Sequence, residues 1–444
     1  MSTTGTTGTR IPTRSILLFW LPLAATWLMM AIEGPFLAAV IARLADAKFN
    51  LAAYGVAFAF AILVEAPVIM LMSASTALVD GPVTYRRLRN FANVLNVGST
   101  ALLLLVLVPA VYDALMEDLL RLPPEVARLT YGALWILLPW PAAIGYRRFL
   151  HGLLIRSGRT RLVAIGTVLR LGGMAATGLA LFAWGGLPGA WVGAAALSAG
   201  VVTEAVAARV FARKTLRELV APAETEARRE AAPGYRAIAS FYYPLALTSV
   251  IGLTVQPMLT FFMGRAPAPV ESLAVFPVVH SLSFLFRAPG LSFQEAAIAL
   301  MGTRAEHFPE LARFAAGLGL VASGALALVA FTPLAEVWFI TVSGLTPELA
   351  SFALVPTRIL AVLPAMTVLL SFQRAALVQA RRTGPITVAT ALELAGVAVV
   401  FTALGWRVEL VGVTAAVVAF VAGRVLGVAY LVPAVRRALA RLRT

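Results

Sequence analysis

The chain contains no cysteine, which excludes a disulfide framework and any thiolate metal site. It is also poor in charge: 13% of its 444 residues are charged, 60% are hydrophobic, and mean hydropathy is +0.88. So few charges do not cover the surface of a soluble protein of this size. Lysine is nearly missing, with Lys48 and Lys214 the only two among 36 basic residues. Histidine is scarce too, and His280 has no acidic neighbour in sequence, which makes it a poor metal ligand and a better hydrogen-bonding residue. Walker, GxSxG, HExxH and EF-hand patterns do not occur. The sequence therefore supports neither ATP-driven pumping nor familiar hydrolytic chemistry, and no catalytic residue, metal site or organic cofactor is expected.

What the chain does have is long apolar segments. A hydrocarbon core of ~30 Å needs about 20 helical residues, and twelve segments qualify, near 15–41, 52–79, 91–111, 128–146, 162–183, 188–211, 237–263, 272–301, 314–334, 350–371, 386–404 and 410–433. The first of them outlasts a signal-peptide core and reads as a retained span. A net charge of +15 would suit nucleic acid, but the cations sit in short loops between apolar spans, where membrane topology explains them better. On one side the loops hold only Arg43, Lys48, Arg121, Arg128, Arg265 and Arg407, while the other side holds the rest of the loop cations. Under the positive-inside rule both termini and the central linker are cytoplasmic, in the cell's inner (plasma) membrane. The expected organisation is a tail 1–14, an N-lobe of six helices 15–212, a linker 213–235, a C-lobe of six helices 236–435 and a basic tail 436–444. A monomer in the bilayer is expected, with no nucleic-acid partner.

The chain is written twice. Residues 19–67 lie on 241–289 without a gap, and Pro22, Pro35 and Pro67 fall on Pro244, Pro257 and Pro289. Phe19-x-x-Pro-Leu-Ala-x-Thr26 matches Phe241-x-x-Pro-Leu-Ala-x-Thr248, and Leu122-x-Pro-Glu125 matches Leu345-x-Pro-Glu348. Six helices per copy make the copies parallel, related by a pseudo-two-fold along the membrane normal. This all-α duplication is an architecture usual in transporters, and the prolines are expected to break or open their helices.

Ionisable residues within spans usually face a cavity or a partner. Glu33, Glu65, Arg170, Arg287, Arg358, Glu393 and Arg424 are placed deep, whereas Glu204, Arg209 and Glu295 lie nearer the span ends and can snorkel. The repeat sets Glu65 on Arg287 and Arg170 on Glu393, so equivalent positions carry opposite charge. Glu65 and Arg287 are expected to face the central cleft, paired across the axis when it is empty. A permanent ion pair, or partners within each lobe, are the structural alternatives. Glu33, two residues before Pro35, is the candidate for coupling to H+ or Na+, because a carboxylate in low dielectric can carry a proton at neutral pH. Its repeat counterpart region holds Gln256 before Pro257. Substrate binding or gating is assigned to Glu65, Arg287, Arg170, Glu393, Arg358 and His280. The arginine pairs at 86–87, 147–148 and 381–382, and His151 and His307, are read as parts of basic loops.

Twelve spans in two parallel repeats, each with a proline in its first helix, together with the segment Gly152-Leu-Leu-Ile-Arg-Ser-Gly-Arg-Thr-Arg161, resemble the MOP flippase superfamily. That superfamily includes MATE exporters and lipid-linked sugar flippases. Leu21-Pro-Leu-x-x-Thr26, Leu51-Ala-Ala-Tyr-Gly-Val-Ala-Phe58 and the Pro67 motif resemble its progressive-ankylosis branch. The resemblance implies export of a small polyanion such as citrate, pyrophosphate or a nucleotide, which guanidinium groups would bind bidentately. The first span lacks the aspartate that cation-coupled MATE exporters carry, with Glu33 as a near substitute. Multidrug efflux coupled to protons or sodium, and flipping of a lipid-linked substrate, are the alternatives within this class. A membrane-embedded enzyme or scaffold is the alternative outside it.

Overall fold

The computed structural model describes residues 11–220, 232–302 and 304–443, and all regular elements among them are helical. In the N-lobe, α1 is Thr13–Ala42, α2 is Ala47–Glu65 resumed as Leu71–Leu78, and α3 is Pro82–Val106. α4 is Pro124–Ile136 followed by Trp140–Arg156, α5 is Thr160–Trp184 and α6 is Gly189–Val220. In the C-lobe, α7 is Tyr235–Leu253 with Val255–Gly264, α8 is Pro269–Leu300 and α9 is Phe308–Phe331. α10 is Pro347–Leu360 with Leu363–Gln379, α11 is Gly384–Phe401 and α12 is Gly412–Arg443.

Ten of these are long and apolar enough to cross a membrane, and α3 makes eleven when joined to the helix Pro109–Leu119, from which it bends by 76°. The remaining segment, α4, breaks at 137–139, and its second half carries Arg147, Arg148 and His151. Those residues therefore lie on a helix rather than in a loop. The chain is a multi-pass, all-α membrane protein of two parallel six-helix repeats. Residues 1–10 of the expected tail and 221–231 of the expected linker lie outside the described residues. The N-terminal flank of that linker is helical, since α6 continues to Val220, residues 232–234 lead non-helically into α7, and the basic end 436–443 belongs to α12.

The repeat is visible in local structure. A six-residue π-helical turn, Ala114–Leu119, precedes α4, and its equivalent Val337–Val342 precedes α10. The shared Leu-x-Pro-Glu motif then starts each helix with proline at the first position and Glu125 or Glu348 in the first turn. Proline lacks the donor that would be orphaned there, and the carboxylate suits the positive end of the helix dipole.

The prolines behave unevenly. Breaks fall at Pro67, within the turn after Glu65, and just before Pro257, at Thr254. Contrary to the sequence expectation, Pro22, Pro35, Pro244 and Pro289 sit inside uninterrupted helices. Apolar spans tolerate such prolines because neighbouring groups take up the freed backbone.

The lobes meet through the first two helices of each copy. α1 runs along α8, and Gly34 lies so close to Ser281 that a Cβ there would stand 2.8 Å from the serine Cβ. Toward the arginine-rich end, Trp20 of α1 is inserted into the C-lobe and its Nε1 donates to the Pro289 carbonyl (3.2 Å) and to Ser292 Oγ (2.8 Å). The equivalent aromatic, Tyr242 of α7, donates its hydroxyl to the Pro67 carbonyl and packs edge-on against Phe91 (5.3 Å). Aligned residues thus make the same bond in opposite directions across the axis.

Candidate functional site: two buried charge clusters

Each lobe encloses a charge cluster between its outer four helices and its first two. In the N-lobe, Glu33 of α1 accepts from Arg170 of α5 at 2.6 Å. Glu204 of α6, fully buried, accepts from Arg147 of α4 at 2.5 Å and lies 3.8 Å from Arg170. Thr167 donates to the same carboxylate at 3.5 Å, and His151 stands 3.9 Å from it. Glu65 accepts from the indole of Trp140, whose ring also faces Arg170 at 6.0 Å. With Arg148 close to Glu65, three carboxylates meet three guanidiniums. Charges buried together in this way remain tolerable because each has a partner. Four atoms are left over: Glu33 Oε1 and the Nε atoms of Arg147, Arg148 and Arg170 are buried without a hydrogen-bond partner.

The C-lobe cluster has a different balance. Arg424 of α12 binds Glu393 of α11 through Nε (2.8 Å) and a terminal nitrogen (2.7 Å). Arg287 of α8 is 7% exposed, and its hydrogen bond is to a neutral group, Thr367 Oγ1 of α10, at 3.2 Å. The Phe420 ring lies 5.2 Å from Arg287 and 5.5 Å from Arg424, so both cations use its π face. Arg374 of α10 reaches Thr390 at 3.3 Å and keeps a buried Nε unpartnered. Three guanidiniums here face one carboxylate. Nearby, Gln256 of α7 bonds the His280 ring at 3.3 Å, while Phe276 and Phe420 flank it.

The residues expected from sequence are therefore partly united. Glu65 and Arg287 do not pair across the axis; each bonds within its own lobe, as do Arg170 and Glu393. The reason is packing: Trp140 of α4 and Thr367 of α10 lie beside α2 and α8 within each bundle, closer than the other lobe's charge. Gln256 and His280 meet each other, and Arg287 joins Glu393 through the Arg424 cluster. Arg358 does not join. It is exposed on α10, donates to the Ala330 carbonyl and stacks at 5.7 Å on Phe331 of α9.

Sequence reading missed Glu204, taken for a snorkelling residue, and Arg147 and His151, taken for loop residues. Their i, i+4 spacing puts Arg147 and His151 on one helical face. It also missed Arg43 and Arg265, which align in the repeat. At the end away from the arginine-rich loops, Arg43 donates to the carbonyls of Thr341 (2.7 Å) and Val342 (2.9 Å) in the C-lobe π turn. Arg265 donates to Leu119 (2.8 Å) and Asp118 (3.1 Å) in the N-lobe π turn. Lys48 and Glu271 form an ion pair between the lobes at the same end. Both ends of the inter-lobe contact are thus latched.

Two six-helix bundles in parallel repeat, held by their first helices and each enclosing buried charges, define the fold class of two-lobed membrane proteins built by duplication. Among solved structures, the chain is similar to an inward-facing multidrug resistance MATE family transporter of the MOP superfamily. The TM-score is 0.69 at 15% identity, covering 96% of this chain and 98% of that one. It is similar to the lipid II flippase MurJ in an inward closed conformation, with TM-score 0.70, 12% identity and coverage of 95% and 90%. A third similar structure is a MOP superfamily transporter from Pyrococcus furiosus described by the reverse polarity of its binding pocket, with TM-score 0.61, 16% identity and coverage of 98% and 100%. At these identities the similarity shows the fold. No protein-family profile and no curated protein matches the sequence.

Proposed function

We propose that this protein is a secondary transporter that exports a small organic or phosphate-bearing anion by alternating access of its two lobes. The observation that carries this reading is the C-lobe cluster, where the one carboxylate, Glu393, binds Arg424, while Arg287 and Arg374 bond the hydroxyls of Thr367 and Thr390. A buried guanidinium without a counter-ion is costly, and an anionic ligand bound there would supply the missing charge. The planar fork of arginine matches carboxylate and phosphate. Alternating access is supported by the latches at both ends, which must open in turn to admit and release a ligand.

The N-lobe is the coupling half in this reading. Glu33 uses one oxygen for Arg170 and keeps the other free, so a proton or sodium ion can bind there and loosen the Glu33–Arg170–Glu204 chain. His280 and Gln256 line the C-lobe site. The protein acts as a monomer in the cell's inner (plasma) membrane, with both termini cytoplasmic. The finer likeness to the progressive-ankylosis branch rests on the sequence of the first two spans, and an anionic cargo accords with it. The multidrug transporters and the lipid flippase of the same fold favour a second reading, efflux of a cationic drug or flipping of a lipid-linked substrate, by fold analogy alone.

The test is uptake and efflux in proteoliposomes with labelled citrate, labelled pyrophosphate and a cationic dye, under imposed proton and sodium gradients. Movement of an anion, lost in Arg287→Met, is expected. Dye transport without anion transport would overturn the proposal.

A further inference from the structure

A third basic site lies outside both clusters, on the N-lobe surface at the arginine-rich end. An open groove of about 710 Å³ between α3 and α6 is lined by Tyr85, Arg86, Arg89, Arg209, Arg213 and Arg217. Among the described residues, none of these arginines forms an ion pair and no carboxylate lines the groove. Five guanidiniums around one depression repel each other, and a topology signal alone does not require them to converge. Below the groove, and sharing Tyr85, Arg89 and Arg209 with it, a smaller cavity of about 160 Å³ reaches Asn93, Asn96 and Tyr146. Asn96 is 7% exposed and its Oδ1 has no hydrogen-bond partner.

The helix faces beside the groove indicate what fills it. Along α6, Val202, Val206, Arg209, Arg213 and Arg217 recur at helical spacing on one face, and all are exposed. Along α3, Arg86, Arg89, Asn93 and Val97 do the same. Both faces run from exposed valine toward mid-span to arginine at the helix end. An acyl chain fits the valine stretch, and a phosphate fits the arginines.

We propose that this groove binds the phosphate group of an anionic phospholipid, with the acyl chains along α3 and α6 and headgroup hydroxyls reaching toward Asn93 and Asn96. The shared chemistry is guanidinium with phosphate, and juxtamembrane arginines are drawn to anionic lipid. The exposed valines favour a lipid over a soluble phosphate as its source.

The full chain is placed in nanodiscs of phosphatidylcholine alone or with phosphatidylglycerol, and separately in phosphatidylcholine with millimolar inorganic phosphate. Bound phosphatidylglycerol is counted by native mass spectrometry, and thermal unfolding is followed in parallel. The wild type is expected to retain phosphatidylglycerol and to unfold at higher temperature with it, while inorganic phosphate has no effect. Arg209→Gln with Arg213→Gln should lower retention at least tenfold. Arg436→Gln with Arg437→Gln, the same charge change at the same end, should leave it unchanged. Equal retention in both double variants would overturn the site. Displacement of phosphatidylglycerol by inorganic phosphate, or equal stabilisation by it, would overturn the lipid as the ligand.

Discussion

Arg43 and Arg265 occupy the same position in the two repeats, and each reaches across the pseudo-two-fold to the carbonyls of the other lobe's π turn. The accepting carbonyls belong to the last two residues of each π turn, where the helix ends and leaves them without an intrahelical partner, so a guanidinium can collect two of them at once. The pair is a symmetric latch at the end away from the arginine-rich loops. Hydrogen bonds to a charged group contribute on the order of 1 kcal/mol or somewhat more at a partly exposed site. Arg43→Ala is therefore expected to shift the population about fivefold toward a state open at that end, and the double variant with Arg265→Ala further. Spin labels at engineered cysteine pairs across the lobes would measure this, and the cysteine-free chain needs no background substitution. Unchanged distance distributions in the double variant would contradict the latch.

The opposite latch should respond in the opposite sense. Tyr242→Phe keeps the ring against Phe91 and removes only the hydroxyl that binds Pro67. Trp20→Phe removes the indole donor to Pro289 and Ser292. Together they are expected to widen the separation at the arginine-rich end, read by the same labelling, while the distance at the Arg43 end stays short.

The N-lobe cluster is expected to matter for folding as well as coupling. Arg170→Met leaves Glu33 and Glu204 buried with fewer partners, and breaking a buried pair costs roughly 3–5 kcal/mol. Thermal unfolding in detergent should show a large loss, partly recovered when Glu33→Gln is added. A double variant no more stable than the single one would mean that Arg170 acts through something other than Glu33.

The repeat, the twelve helical segments and the opposite charges at 65/287 and 170/393 are legible in the sequence because they depend on spacing and composition. Who pairs with whom is not, because it depends on how each helix is rotated and on which neighbour is nearest. Glu65 finds Trp140 in its own bundle before it can find Arg287. Arg147, Arg148 and His151 look like a loop because hydropathy falls there. They remain helical because Glu204 and Glu65, on neighbouring helices, offset their charge. The break before Pro257 and the continuity through Pro35 differ for the same reason: equivalent sequence meets different neighbours in the two lobes.

The C-lobe imbalance gives a further expectation for specificity. Arg287→Lys keeps the charge but loses the planar fork, so affinity for a carboxylate or phosphate should fall about tenfold or more, while Arg287→Met should abolish it. Glu393→Gln removes the cluster's one carboxylate and should strengthen anion binding, provided thermal unfolding shows the variant folded. Weaker binding in folded Glu393→Gln would mean that the carboxylate, rather than the arginines, contacts the ligand.

The most direct measurement is equilibrium binding of labelled pyrophosphate and citrate to the purified protein in nanodiscs of neutral lipid, for the wild type and Arg287→Met. Saturable binding of one of these anions to the wild type, lost in Arg287→Met, is the predicted result. Binding that is absent from both proteins, or equal in both, would contradict an anion site at the C-lobe arginines.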